Sequence, residues 1–144
     1  MDRKYRILVV DDEVGFCDFI VLYLTAHGFE VEATSKPSQA LEMVARQAYD
    51  IMLADVMMPS LDGLELLRRI KATKPEMKAI LMTAYASLDK ALKAITYQAD
   101  DLLIKPFELP VMLETVNRVL DRRQHCGGST GSGDELTEGT DRSL

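Results

Sequence analysis

Apolar and polar positions alternate between two rhythms along residues 1–125. Ile7, Leu8, Val9 and Val10 follow Arg6 in a short apolar run, the pattern of a strand buried on both faces over 6–10. Across 14–27, Phe16, Phe19, Ile20, Tyr23 and Leu24 recur at helical spacing, and Gly28 supplies the stop. Residues 30–34 alternate and predict a second strand. Ser35 is placed to cap a helix that carries Pro37 in its first turn and runs to about Gln47. Residues 50–54 predict a third strand, and 57–63, with Pro59 and the Asp62-Gly63 pair, predict a loop. A helix over 64–73 closes at Pro75, and 79–83 is a fourth strand. Ser87 or Asp89 opens a helix reaching about Gln98, 101–104 is a fifth strand, and 108–123 is a last helix. That last helix sets Leu109, Met112, Leu113, Val116 and Leu120 on one stripe. On the first helix, Val14, Cys17 and Val21 recur on the outer side and read as partly buried or scattered surface apolar residues, with a docking stripe for a partner as the alternative.

Five strands alternating with five helices imply an α/β fold: one parallel sheet with helices on both faces, joined by right-handed crossovers. In such open sheets, ligands gather beyond the carboxyl ends of the strands. The chain of 144 residues has the length of one domain, and 47% hydrophobic residues suffice for its core. Five of the eight glycines sit at Gly127, Gly128, Gly131, Gly133 and Gly139, among serines and threonines. We therefore expect an ordered domain over 1–125 and a flexible Gly/Ser-rich tail or linker over 126–144.

Charge narrows the function classes. Acidic residues number 23 against 17 basic, a net charge of −6, which argues against direct binding to nucleic acid. The longest apolar stretch, 19–24, is far too short to span a bilayer, and no signal peptide fits the N-terminus. Cys17 and Cys126 offer neither a disulfide framework nor metal-ligand spacing, so a reducing cytoplasm is the expected compartment.

The strand carboxyl ends carry the chemistry. Asp11, Asp12 and Glu13 follow strand one, Asp55 follows strand three, Thr83 ends strand four, and Lys105-Pro106 follows strand five. Carboxylates crowded at one edge repel one another unless a cation neutralises them. All the ligand atoms are hard oxygens, so the cation that fits is Mg²⁺ or Mn²⁺ rather than Zn²⁺. Lys105 could hold a phosphoryl oxygen and Thr83 could donate to another, leaving Asp55 as the nucleophile that forms an aspartyl phosphate. Each residue taken singly has an ordinary explanation as a turn, a cap or a surface charge. Their coincidence at one edge carries the argument.

The ordered set Ile7-Leu8-Val9-Val10-Asp11-Asp12-Glu13, Asp55-Val56-Met57-Met58-Pro59, Asp62-Gly63-Leu64-Glu65, Met82-Thr83-Ala84, Ala99-Asp100-Asp101 and Lys105-Pro106-Phe107 resembles the receiver domain of bacterial two-component response regulators. The resemblance spans nearly all of residues 5–123. It implies a three-layer flavodoxin-like (βα)5 sandwich with sheet order 2-1-3-4-5. It implies a phosphoacceptor at Asp55, with Thr83 as the switch hydroxyl and Lys105 as the ion-pair partner of the phosphoryl group. It further implies Mg²⁺ held directly by Asp12 and Asp55, through water by Asp11, and by the backbone carbonyl of Met57. Lys105-Pro106 would be a cis peptide. The phosphoryl donor would be a sensor histidine kinase or a phosphotransfer protein. The output would be a partner, an output domain, or a phosphorylation-dependent homodimer formed through the fourth helix, fifth strand and fifth helix. On this reading the protein is a signalling switch and not a turnover enzyme.

Two positions depart from that family. Leu102 stands where an aromatic residue is usual, and Gln98 where glycine is common at the end of the fourth helix. Tyr85 and Met57, each two residues beyond a site residue, are expected to flank the phosphoryl group and slow its hydrolysis. Other functions fit the residues less well. A haloacid-dehalogenase-type phosphatase would carry a second aspartate where Glu13 stands. An FMN carrier would need a phosphate loop where Asp11, Asp12 and Glu13 would repel one. An interaction module keeping only the fold would have no use for the full acidic set.

Overall fold

The computed structural model describes residues 4–58, 61–84 and 98–125. In chain order the elements are β1 (Arg6–Val10), α1 (Val14–Ala26), β2 (Glu30–Thr34), α2 (Pro37–Arg46), β3 (Ile51–Asp55), α3 (Gly63–Thr73), β4 (Lys78–Thr83), β5 (Asp101–Ile104) and α4 (Leu109–His125). The expected helix over 87–98 lies outside the described residues except for Gln98, and so does the expected tail over 126–144.

The five strands form one parallel sheet in the order β2-β1-β3-β4-β5. Side chains alternate across it and feed two separate cores. Leu8, Val10, Met52, Ala54, Ala79 and Leu81 face α2 and α3, meeting Ala40, Val44, Leu66, Leu67 and Ile70. Ile7, Val9, Ile51, Leu53, Ile80 and Met82 face α1 and α4, meeting Cys17, Ile20, Leu24, Met112, Val116 and Leu120. Each aliphatic side chain buried this way contributes about 1.5–3 kcal/mol. This burial on both faces is why β1, β3 and β4 are near-continuous apolar runs. The three-layer architecture and the sheet order agree with the expectation.

The strand starts are pinned by aspartates at the edge opposite the candidate site. Asp50 accepts the Arg6 N–H at 2.8 Å, and Asp100 accepts the Ala79 N–H at 2.8 Å. Both carboxylates satisfy amide groups where the ladders begin, so a slip of register would orphan them.

Several local expectations are corrected. The buried stripe of α1 is Cys17, Ile20 and Leu24, with Phe16 and Tyr23 partly covered. Of the expected inward positions only Phe19, exposed at 64%, faces out, while Ile20 and Leu24 are buried and Phe16 and Tyr23 pack against their core. Cys17 is therefore a core residue and not an outer one. Burial pushes its thiol up to about 11, with the charge of Asp11 adding to the effect. Ser35 does not cap α2. Lys36 occupies the cap position without a side-chain bond, and the Thr34 hydroxyl accepts the Lys36 N–H at 3.1 Å and donates to Gln39 Oε1 at 2.5 Å. Gly28 has φ +95°, the left-handed stop that ends α1, and its N–H reaches the Thr25 carbonyl at 3.0 Å. Gln98 has φ +70°, the conformation glycine adopts without steric cost, so the substitution at this position leaves a side chain in a strained region.

Asp62-Gly63 is more than a loop signal. Asp62 is the N-cap of α3, and its carboxylate accepts the Glu65 N–H at 2.9 Å. Gly63 opens the helix pressed against the end of β3, donating to the Val56 carbonyl at 3.0 Å. A Cβ on Gly63 would overlap the Asp55 carbonyl oxygen and lie 2.9 Å from the Asp55 carbonyl carbon and 3.0 Å from Val56 Cα. Those are backbone atoms and cannot swing aside. Gly63→Ala is expected to destabilise the fold by about 1–3 kcal/mol, from overpacking against a rigid neighbour. Urea denaturation checks this, and an unchanged midpoint would show that α3 can retreat from β3 freely.

Candidate functional site

The parallel registers bring the strand carboxyl ends together. Val10 is paired with Ala54, so Asp11 and Asp55 come next, side by side, on β1 and β3. Asp55 is in register with Met82 and Thr83 with Ile104, so Thr83 and Lys105 complete the same rim. Residues up to 94 positions apart thus meet because the strands all point the same way.

Asp11 and Asp55 are held alike. Asp11 Oδ1 accepts the Glu13 N–H at 2.9 Å, and Asp55 Oδ1 accepts the Met57 N–H at 3.1 Å. In each case an aspartate at the end of its strand binds the amide two residues on, an Asx turn that fixes the carboxylate plane. The other oxygens converge on one ammonium: Lys105 Nζ lies 2.8 Å from Asp11 Oδ2 and 3.3 Å from Asp55 Oδ2. Glu13 Oε1 is 3.7 Å from the same nitrogen. Asp11, Asp55 and Thr83 are buried, the Lys105 side chain is 14% exposed, and Asp12 is exposed at the rim. The Lys105-Pro106 bond is cis, as expected.

Electrostatics follow from this crowding. Burial pushes the Asp55 carboxyl above its ordinary range, and the charge of Asp11 adds to it. The Met57 N–H and Lys105 oppose the shift without cancelling it. For Lys105, burial alone would lower the ammonium. Hydrogen bonding and charge from Asp11, then from Asp55, outweigh burial and hold it above its usual value. The rim therefore carries an excess of negative charge in a poorly solvated place.

The donor set suits a hard divalent ion. Asp11, Asp12 and Asp55 each offer a carboxylate oxygen, and these oxygens lie within 4.8 Å of one another, with no thiolate or imidazole in the group. Oxygen-only donors with solvent access on the Asp12 side fit Mg²⁺ or Mn²⁺, ions that keep part of their water shell. The structure thus brings Asp11, Asp12, Asp55, Thr83 and Lys105 to one edge, with the Met57 backbone beside Asp55. Tyr85 lies outside the described residues. Leu102 is partly buried against the core on the α2–α3 side.

The spacing along the chain did not flag Phe16 at this rim, and it gave Glu13 no role beyond following strand one. Glu13 joins through its contact with Lys105. Phe16, one of the apolar positions of α1, lies with its ring centroid 4.6 Å from Lys105 Nζ and meets the Phe107 ring edge-on at 5.8 Å.

The family model described as "Response regulator receiver domain" matches residues 7–117. The Escherichia coli transcriptional regulatory protein ZraR is 38% identical over 114 residues, covering 79% of this chain and 26% of that protein. The response regulator MprA of Mycobacterium leprae is 38% identical over 117 residues, covering 81% of this chain and 51% of that one. A CheY-like receiver domain protein from Methanospirillum hungatei superposes with a TM-score of 0.82 at 30% identity, over 85% of this chain and 98% of that one. The chain spans about a quarter of the length of the first curated relatives it matches.

The raised Asp55 carboxyl has a consequence for stability. Between the unfolded and folded titration points the folded state binds more protons, so this group's contribution falls as pH rises through that window. In buffer free of divalent ions, Asp55→Asn is expected to stabilise the protein at pH 7 by on the order of 1 kcal/mol. The advantage should vanish on acidifying below the ordinary aspartate value of about 4. Thermal or denaturant midpoints across pH check it. A midpoint at pH 7 no higher than wild type would contradict the electrostatic account.

Proposed function

The chain belongs to the response regulator receiver domain family, and on that premise we propose that it accepts a phosphoryl group on Asp55 from a sensor histidine kinase or phosphotransfer protein. The observation that carries this reading is the shared ammonium. Lys105 sits 2.8 Å from Asp11 and 3.3 Å from Asp55, with Asp12 completing an oxygen cluster around the acceptor. The receiver domain is taken to cover residues 1–125, with 126–144 as tail or linker.

A carboxylate oxygen of Asp55 forms the new O–P bond while the P–N bond of the donor phosphohistidine breaks and the electron pair returns to the imidazole. Asp11, Asp12 and Asp55, with the Met57 carbonyl, would hold Mg²⁺, or Mn²⁺ in its place. When bound, that ion neutralises charge on the phosphoryl oxygens. Lys105 is already paired to the acceptor, so it need shift only slightly to pair with a phosphoryl oxygen. Thr83, at the end of β4, supplies a hydroxyl toward another. The aspartyl phosphate carries about 1.5–2 negative charges where the carboxylate carried one, so it adds up to about one charge to a rim that already holds an excess. The response of Thr83 and Lys105 to that charge shifts an existing conformational equilibrium.

The product is a covalent switch rather than a released product, so the protein is a signalling element and not a turnover enzyme. Its output is a partner, an output domain, or a second copy met through the face made by the expected fourth helix, β5 and α4. No helix among the described residues is long and apolar enough to cross a membrane, and we place the protein in the cytoplasm.

Incubation with Mg²⁺ and acetyl phosphate, followed by phosphate-affinity electrophoresis, tests this directly. Wild type is expected to take up a phosphoryl group, Asp55→Ala to take up none, and chelation of the metal to abolish uptake. Lys105→Ala should slow uptake by roughly tenfold or more, the loss of a charge-stabilising group in a water-poor site. Uptake by Asp55→Ala equal to wild type would overturn the assignment.

A further inference from the structure

We propose that Phe16 is a positioning residue for Lys105: its ring face and the rim carboxylates clamp the ammonium so that it stays within reach of Asp55. The inference rests on the phosphoacceptor reading and deepens it.

Lysine is a flexible four-carbon stem ending in a point charge, so a carboxylate pair alone does not fix where the charge sits. Here the nitrogen has three acids within reach, at 2.8 Å (Asp11), 3.3 Å (Asp55) and 3.7 Å (Glu13). The Phe16 ring centroid lies 4.6 Å from it. A cation over an aromatic face at this range is attracted by the ring quadrupole, more strongly where water is scarce, and the Lys105 side chain is only 14% exposed. The ring is itself braced. Phe107, two residues beyond Lys105, meets it edge-on at 5.8 Å with an interplanar angle of 67°. The loop carrying Lys105 therefore touches Phe16 twice, once through the charge and once through Phe107. Phe16 lies in the first turn of α1, whose core contacts through Cys17 and Ile20 hold that turn on the sheet. The ring is thus a fixed wall, and it favours the buried Asp11–Asp55 position of the ammonium over a swing toward exposed Glu13.

The test combines a structural and a kinetic measurement. With lysine labelled at Cε, the Lys105 methylene protons of metal-free wild type should show an upfield ring-current shift. The shift should disappear in Phe16→Leu and return in Phe16→Tyr, which keeps the ring. With Mg²⁺ and acetyl phosphate, Phe16→Leu should lower the maximal phosphorylation rate between about 2-fold and 30-fold, the span expected for losing one cation–π contact. Phe16→Tyr should restore the rate. In a Lys105→Ala background, Phe16→Leu should add no further loss, because its effect passes through the ammonium. An unshifted Lys105 resonance in wild type, or an equal rate loss with and without Lys105, would overturn the clamp while leaving Asp55 as acceptor. No phosphoryl uptake by wild type would overturn the acceptor reading and the positioning role together, and the resonances would still report whether the contact exists.

Discussion

One ammonium between two buried carboxylates is the constraint on which the site depends. Without Lys105, Asp11 and Asp55 would stand side by side at the rim, both buried, with like charges and little water to screen them. With it, each aspartate places one oxygen on Lys105 and the other on the backbone amide two residues further along. Neither carboxylate is left with an unmet hydrogen bond, and among the described residues no buried side-chain nitrogen or oxygen lacks a partner. The neutralisation is incomplete, since Asp12 and Glu13 add negative charge nearby. This residual negative charge is what a hard divalent cation would neutralise.

The fold serves the site by being rigid on its walls. Parallel pairing aligns the strand ends, and two apolar cores lock the sheet between helices. The turn after β3 is fixed from beneath by Gly63, whose missing side chain lets α3 begin against the backbone of Asp55 and Val56. On the other flank, the first turn of α1 meets the Lys105 loop through Phe16 and Phe107. Asp55 is thus held by the strand it ends, by the helix that follows, and by a lysine from the far edge of the sheet.

Much of this was legible in the amino-acid order. Short apolar runs, and the alternation over 30–34, separated by helical periods specified the strands, and β1, β2 and β5 fall at the expected bounds. Buried strands and amphipathic helices are local patterns, set by the period of side-chain direction. The acids and the lysine were recognisable because a parallel sheet must put every strand's carboxyl end on one edge. What the order left open was any choice between local options of similar cost. Phe19 and Leu22 are as apolar as Ile20 and Leu24, so only packing against the sheet decided which stripe of α1 turned inward. Ser35 and Thr34 both carry hydroxyls, and the end of β2 decided which one met the Lys36 amide.

The sequence by itself therefore determined the elements, their alternation and the set of chemical groups at the rim, because each follows from periodicity or from position after a strand. Tertiary structure alone decided the pairing within that set: the Lys105 charge shared between Asp11 and Asp55, the ring of Phe16 beside it, and Gly63 against β3. Those contacts join residues far apart in the chain, and their energies depend on distance and burial. Neither quantity exists until the sheet has closed.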